Sequence, residues 1–219
     1  MKDNNLFKQI IEKIYSIKEI IEKRNWIITT DLILERGATE KEIEQIENKS
    51  NIILPNELSK LFHFSKHLEF RYMINEELPS EFKDIFSGEI YWNMNTLLQE
   101  IEFYKEWVKA SLDPASNDIE SINITEKIWR NKLPFMSVPN GDLIVVGCKN
   151  AEVVYLSHEG DLMHGKKLSD NLYDFLVFHS EVGFIGTEDW QFQTFYDFEK
   201  DKMVTTGEKI ERFIKWLEK

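Results

Sequence analysis

The 219-residue sequence predicts an α+β fold with extra helices at both ends. Three observations predict it. Apolar residues recur at helical spacing near both termini. Two Thr-x-x-Glu boxes mark helix starts. Between Phe135 and Leu156 the pattern turns extended and is punctuated by turns. No internal repeat, low-complexity tract or Pro/Gly/Ser linker divides the chain. One domain over 1–219 is the simplest partition. Its core spans about 37–190, residues 1–36 form a helical extension, and a C-terminal helix lies in 195–219.

The elements follow in order. Leu6, Phe7, Ile10, Ile11, Ile14, Ile17, Ile20 and Ile21 form the apolar stripe of a first helix. Trp26 to Leu34 reads as an apolar linker or short extended segment. Gly37 breaks the chain, and Thr39-Glu40-Lys41-Glu42 caps a helix that buries Ile43 and Ile46. Pro55 suits the first turn of the next helix, which carries Leu58, Leu61, Phe62 and Phe64. Residues 67–87 read as strand and loop, and Gly88 to Trp92 as a strand. Asn95 is placed to cap a helix bearing Leu97, Leu98, Ile101, Tyr104 and Trp107 or Val108. A loop over Asp113–Asp118 and a short helix at Thr125–Arg130 follow. Asn140-Gly141 and Lys149-Asn150 are turns joining Phe135–Val138, Leu143–Val146 and Val153–Leu156 into an antiparallel meander. Four consecutive apolar residues at Leu143–Val146 suit a strand covered on both faces. Ser169 or Asp170 opens a helix carrying Leu172, Phe175, Leu176 and Phe178, closed by Gly183 and Gly186. Thr205-x-x-Glu208 caps the last helix, with Ile210, Phe213, Ile214 and Leu217 on its apolar face.

Composition narrows the function classes. The 42% hydrophobic fraction and 15 Phe residues support a large core and argue against disorder. Thirty-nine acids against 27 bases give a net charge of −12, which disfavours direct nucleic-acid contact and favours basic partners. Residues 31–130 hold 20 acids and 11 bases, whereas residues 1–30 hold four acids and six bases. The single cysteine, Cys148, excludes an internal disulfide and fits a reducing compartment. No signal-peptide pattern and no apolar run near 18 residues occur, so a cytoplasmic location without membrane contact is expected.

Catalytic patterns are weak. His63-x-x-x-His67 has metal-compatible spacing but lacks the zincin Glu and a third ligand nearby, and reads as two surface histidines. Cys148 near His158 and His164 reads as a structural thiol at a strand end. Glu47-x-Lys49 and Glu81-x-Lys83 echo a metal-nuclease triplet that arises by chance in a chain with 30% charged residues. Gly183-x-x-Gly186 lacks a third Gly and a Lys, and reads as a helix stop. No catalytic, cofactor-binding or metal-ligating residue is assigned, and an enzyme is not expected.

The order of these features resembles the SUKH superfamily (Smi/Knr-type domain). The likeness rests on Gly37–Ile43 with Ile46-Glu47, and on Ile53-Leu54-Pro55-Asn56-Glu57-Leu58. It continues through the Gly88–Trp92 strand, the Leu133–Gly147 hairpin and the Val153–Asp161 strand and turn, and ends on the Leu172-Tyr173-Asp174-Phe175-Leu176 helix. It covers about two-thirds of the chain by element order. One departure is Phe64-Ser65-Lys66-His67-Leu68-Glu69, where family members often carry an Asn-Gly or Gly-Gly turn. The resemblance implies a central, mainly antiparallel sheet flanked by helices. It also implies an immunity protein that binds and neutralises a cognate toxin, often a nuclease, in a polymorphic toxin system. Fungal relatives imply an alternative: a regulatory scaffold docking cytosolic proteins.

A basic, nuclease-like toxin would meet the acids. Glu69, Glu76, Glu77, Glu81, Asp84 and Glu89 surround the entry to the sheet, and Glu188 and Asp189 flank Trp190. With Tyr72, Tyr91 and Trp190 they are the candidate partner-binding residues: an anionic patch with aromatic anchors. The competing reading is a solvated charged face around core aromatics, and Trp92 reads as core. The sequence leaves oligomeric state open.

Overall fold

The computed structural model describes residues 2–113 and 126–219. It is α+β, and every strand pairing among the described residues is antiparallel. Helix α1 (Lys2–Arg24) leads into strand β1 (Ile27–Leu34). Helices α2 (Glu40–Ser50) and α3 (Asn56–Phe64) come next, then β2 (His67–Met73), a 3-10 turn at Ser80–Phe82 and β3 (Ser87–Asn93). Helix α4 (Leu97–Ser111) precedes a meander of β4 (Lys132–Ser137), β5 (Leu143–Gly147), β6 (Val153–Leu156) and β7 (Lys167–Ser169). Helix α5 (Leu172–Glu181), short helix α6 (Asp189–Gln193), hairpin β8 (Tyr196–Asp197) and β9 (Lys202–Met203), and α7 (Glu208–Leu217) complete the chain.

The expected central sheet is divided. Strands β1-β2-β3 form one sheet, β4-β5-β6-β7 a second, and β8-β9 a separate hairpin. The second sheet explains the apolar run. Ile144, Val146, Val153 and Tyr155 face the main core, whereas Leu143, Val145, Val154 and Leu156 face a smaller cluster with Tyr104 of α4 and Trp129. Both faces are covered, so no polar alternation is needed. Helix α1 buries Phe7, Ile10, Ile14, Ile17 and Ile21, joining the main core that reaches Leu217 of α7. The two terminal helices also meet. The Arg24 guanidinium lies 5.1 Å from the ring of Trp26 and 4.6 Å from that of Trp216, and the two indoles stack at 5.8 Å.

Local starts and stops differ in places from expectation. Thr39 caps α2 with the predicted reciprocal Glu42 box. Thr205 does not cap α7; Gly207 holds the N-cap position with no side-chain bond. The α4 N-cap is Thr96, not Asn95, again without a side-chain cap. Asn171 rather than Ser169 or Asp170 opens α5; its amide oxygen accepts from Asp174 N at 2.8 Å, and Glu57 of α3 accepts from Leu172 N at 2.8 Å. Pro55 precedes α3 as its N-cap. His67 lies on β2 while His63 lies on α3, so the presumed helical histidine pair does not exist. The Asp113–Asp118 loop lies mostly, and Thr125 wholly, outside the described residues, although 126–129 are helical.

Tyr72 shows how tightly the first sheet joins the rest. Its ring is buried and stacks on Trp26 at 5.8 Å, and its hydroxyl donates to Gly183 O at 2.6 Å. Burial pushes the phenol far above its ordinary pKa, so it remains a donor. Tyr72→Phe keeps the ring but leaves a buried carbonyl unpaired. A loss of about 1–3 kcal/mol is expected in urea unfolding.

Candidate protein-docking surface

Strand alternation assigns the faces of β2 and β3. Leu68, Phe70, Tyr72, Ile90 and Trp92 enter the core. His67, Glu69 and Arg71 share the opposite face with Glu89 and Tyr91, because Glu69 pairs with Tyr91 and Arg71 with Glu89. Arg71 Nε lies 3.0 Å from Glu69 and its Nη1 3.4 Å from Glu89, with the guanidinium over the Tyr91 ring at 5.4 Å. His67 sits between Glu69 at 3.3 Å and Glu35 at 3.5 Å.

A distant segment returns along β3. Glu89 N donates to Phe184 O and Gly186 N donates to Ser87 O, both at 2.6 Å. This carries Thr187 onto the Glu89 carboxylate, which accepts its hydroxyl. Burial raises the Glu89 pKa; Thr187 and Arg71 oppose the rise, and Glu188 and Glu69 add to it. Gln191 fixes the same turn: its carbonyl accepts from Phe86 N at 3.3 Å, while its amide donates to Ser87 Oγ at 3.1 Å and to Glu188. Trp190 stays 42% exposed and stacks on the exposed Phe86 at 6.4 Å.

The acidic band continues onto the second sheet. Carboxylate oxygens of Asp142, Asp161 and Asp189 all lie within 4.8 Å of one another. Asp142 accepts from Tyr155 Oη at 2.7 Å, His158 N at 2.9 Å, His158 Nδ1 at 2.7 Å and Asn140 Nδ2 at 2.9 Å. Burial pushes its carboxyl up, but these donors outweigh burial and hold it below the ordinary value. Asp189 is raised, chiefly by burial and then by Asp161, with Gln193 donating to it at 2.6 Å. Three aspartates have the chemistry of a hard-cation site. Here internal donors already occupy Asp142 and Asp189.

The expected patch is therefore regrouped. Glu69, Glu89, Tyr91, Glu188, Asp189 and Trp190 come together. Glu89, Glu188 and Asp189 are nevertheless mostly covered, so they present charge rather than contact area. Tyr72 is core and can touch no partner. Glu76 and Glu81 point elsewhere: Glu76 accepts from Arg24 at 2.6 Å and Trp26 Nε1 at 2.8 Å, and Glu81 takes Arg212 in a fork at 3.0 and 2.8 Å. Glu77 and Asp84 are exposed on the same loop. Arg71, His67, Thr187, Phe86, Asp142 and Asp161 were not among the candidate contacts. Period-2 spacing along 67, 69 and 71 carried the signal for the first two. The Cys148 thiol is pushed up, first by burial, which is opposite to what a nucleophile requires.

Comparison with known families matches residues 37–178 to the SMI1 / KNR4 family (SUKH-1). Glu69, Glu89 and Tyr91 fall inside that span, and Glu188, Asp189 and Trp190 follow it. No curated protein matches the chain. No helix among the described residues is long and apolar enough to cross a membrane.

Proposed function

The chain belongs to the SMI1 / KNR4 family (SUKH-1), and from that premise we propose that it is an immunity protein that neutralises a basic, nuclease-like toxin by direct contact. It acts in the cytoplasm, without turnover or cofactor. The observation that carries this reading is the carboxylate band joining Glu69, Glu89 and Glu188 to Asp189, edged by the exposed Trp190–Phe86 pair. Such a band presents a negative field that steers a basic surface inward. The aromatic pair offers a rigid apolar anchor at its border.

The test screens toxin candidates taken from the neighbouring genes. Purified toxin should bind the full chain tightly, and affinity should fall as salt rises. Trp190→Ala should weaken binding about 30-fold or more, the scale of an interface hot spot. Glu69→Lys should slow association more than it speeds dissociation. A complex that forms yet leaves toxin-expressing cells unprotected would sink the immunity role. A salt-insensitive Kd with Trp190→Ala unchanged would remove this surface from the mechanism.

A further inference from the structure

A small cavity opens between α4 and the hairpin that joins β4 to β5. It holds about 250 Å³ and is lined in part by Glu100 and Phe103 of α4 and by Ser137, Gly141 and Asp142 of the hairpin. Small-molecule sites usually begin at about 300 Å³, so this one suits a single side chain. Glu100 and Phe103 lie three positions apart on the helix, which puts carboxylate and ring on one face. Phe103 is 50% exposed and tilts against Trp107 at 4.8 Å, and Trp107 meets the His158 ring at 5.6 Å. The cavity thus has an acidic side and an aromatic wall.

We propose that this cavity takes one arginine side chain of a basic partner protein, whose guanidinium stacks on Phe103 and donates to Glu100. The lining selects that occupant by charge. Glu100 accepts from Thr96 Oγ1 at 2.6 Å and from the Ser137 hydroxyl, and both donors are neutral. Among the described residues, no Lys, Arg or His lines the cavity and no cation pairs with Glu100. Burial raises the Glu100 carboxyl above its ordinary pKa, and only the two hydroxyls oppose the rise. A carboxylate has about four acceptor sites, so two remain for an incoming cation, which offsets the burial of the charge. The chain itself shows the filled arrangement twice. Arg71 lies over the Tyr91 ring at 5.4 Å and 3.0 Å from Glu69. Arg24 lies 4.6 Å from the Trp216 ring and 2.6 Å from Glu76. On α4 the chain supplies the carboxylate and the ring, but no guanidinium of its own among the described residues. Arginine fits better than lysine, because its planar head stacks on a ring and forks onto a carboxylate at once.

Asp142 ties the cavity to the carboxylate band. It lines the cavity, and its carboxylate lies within 4.8 Å of those of Asp161 and Asp189. A basic face steered onto the band therefore carries its side chains past the cavity mouth. An arginine seated against an aromatic wall is the kind of anchor that dominates binding energy. That the arginine comes from a basic partner rests on the toxin-binding reading. The chemistry of the cavity does not, and it is tested without any partner.

The full chain is titrated with Nα-acetyl-arginine amide and followed by the indole N–H resonance of Trp107, identified with Trp107→Phe. A saturable shift is expected. Nα-acetyl-citrulline amide has nearly the same shape without the charge, and should bind about 10-fold more weakly or not at all, the scale of hydrogen bonds to a charged group. Glu100→Gln should weaken the arginine probe about 10-fold as well. Phe103→Ala should weaken it about 5-fold through the lost ring. Glu102→Gln, at an exposed residue of the same helix, should leave it unchanged. Thermal melts by circular dichroism should show the variants folded. Absence of a saturable shift, equal binding of the citrulline probe, or Glu100→Gln as tight as the wild type would overturn the proposal. Equal binding of Nα-acetyl-lysine amide would overturn the assignment to arginine. A salt-dependent toxin complex without any response to the arginine probe would remove the cavity and keep the band. A response to the probe without any toxin complex would overturn the partner as the source of the arginine.

Discussion

Between pH 6.5 and about 4 the protein is expected to lose about 3 kcal/mol of stability through His179 alone. His179 is fully buried on α5, stacked on Phe175 at 5.3 Å and edge-on to Phe184 at 5.7 Å. Its Nε2 lies 2.9 Å from Ile185 O, which can only accept, so Nε2 carries the hydrogen. Nδ1 is buried with no partner among the described residues, as suits a neutral ring. Burial pulls the pKa down to about 4, against an ordinary value of 6.5; the bond to Ile185 opposes the shift weakly. The sign follows. Above pH 6.5 neither state binds the proton, and stability is full. As pH falls, the unfolded chain protonates first, and stability declines until the folded state protonates near pH 4. Glu89 and Glu100 act the other way, because burial raises their pKa values and protonation relieves a cost of folding. Urea titrations of wild type and His179→Gln at several pH values separate the contributions. Gln can still donate to Ile185 O, so the difference curve should slope only between pH 6.5 and 4. A flat difference would mean that the ring titrates normally.

How far the fold was legible depended on whether local rules had rivals. Val153–Leu156 is matched residue for residue, since turns bound it on both sides and every residue is apolar. Around Leu143 the run extends by one residue to Gly147. At Ser169-Asp170-Asn171 three neighbours can all cap a helix, and only the approach of Glu57 from α3 settles the start at Leu172. β1 was half legible because its apolar residues line an exposed edge, which periodicity does not distinguish from a linker. The site was read less well. Glu69 and Tyr72 were placed on one surface, yet an odd offset along a strand sends them to opposite faces. Glu188 reaches Glu89 through a return of the chain about a hundred residues later, which no local pattern encodes. The split of the remaining acids depends on Arg24 and Arg212 in the terminal helices, and these too are distant in sequence.

Gly37→Ala should be among the most damaging single substitutions, costing about 3 kcal/mol or more in urea unfolding. Sequence alone marks Gly37 as a break before the α2 cap; the structure gives the physical reason for glycine. A Cβ there would stand 1.8 Å from His63 O and 2.8 Å from His63 C, both backbone atoms at the end of α3. Neither side can yield easily. Ala38 N donates to Phe62 O at 2.8 Å, and His63 Nδ1 donates to Ala38 O at 2.8 Å. Lys66 N donates to Arg36 O at 3.0 Å, and Glu35 N donates to His67 O at 2.9 Å. Segment 35–38 is thus laced to 62–67 along its length, and a shift sufficient for a methyl group breaks several of these bonds together. Gly160→Ala makes the contrast. Its φ is +73° with nothing within 4 Å, so the cost is conformational, about 1–2 kcal/mol. Backbone-on-backbone contact at Gly37 therefore predicts the larger loss, although its φ is ordinary. Equal losses in the two variants would show that α3 moves aside, and that the lacing of 35–38 to 62–67 does not set the approach of α2 to α3.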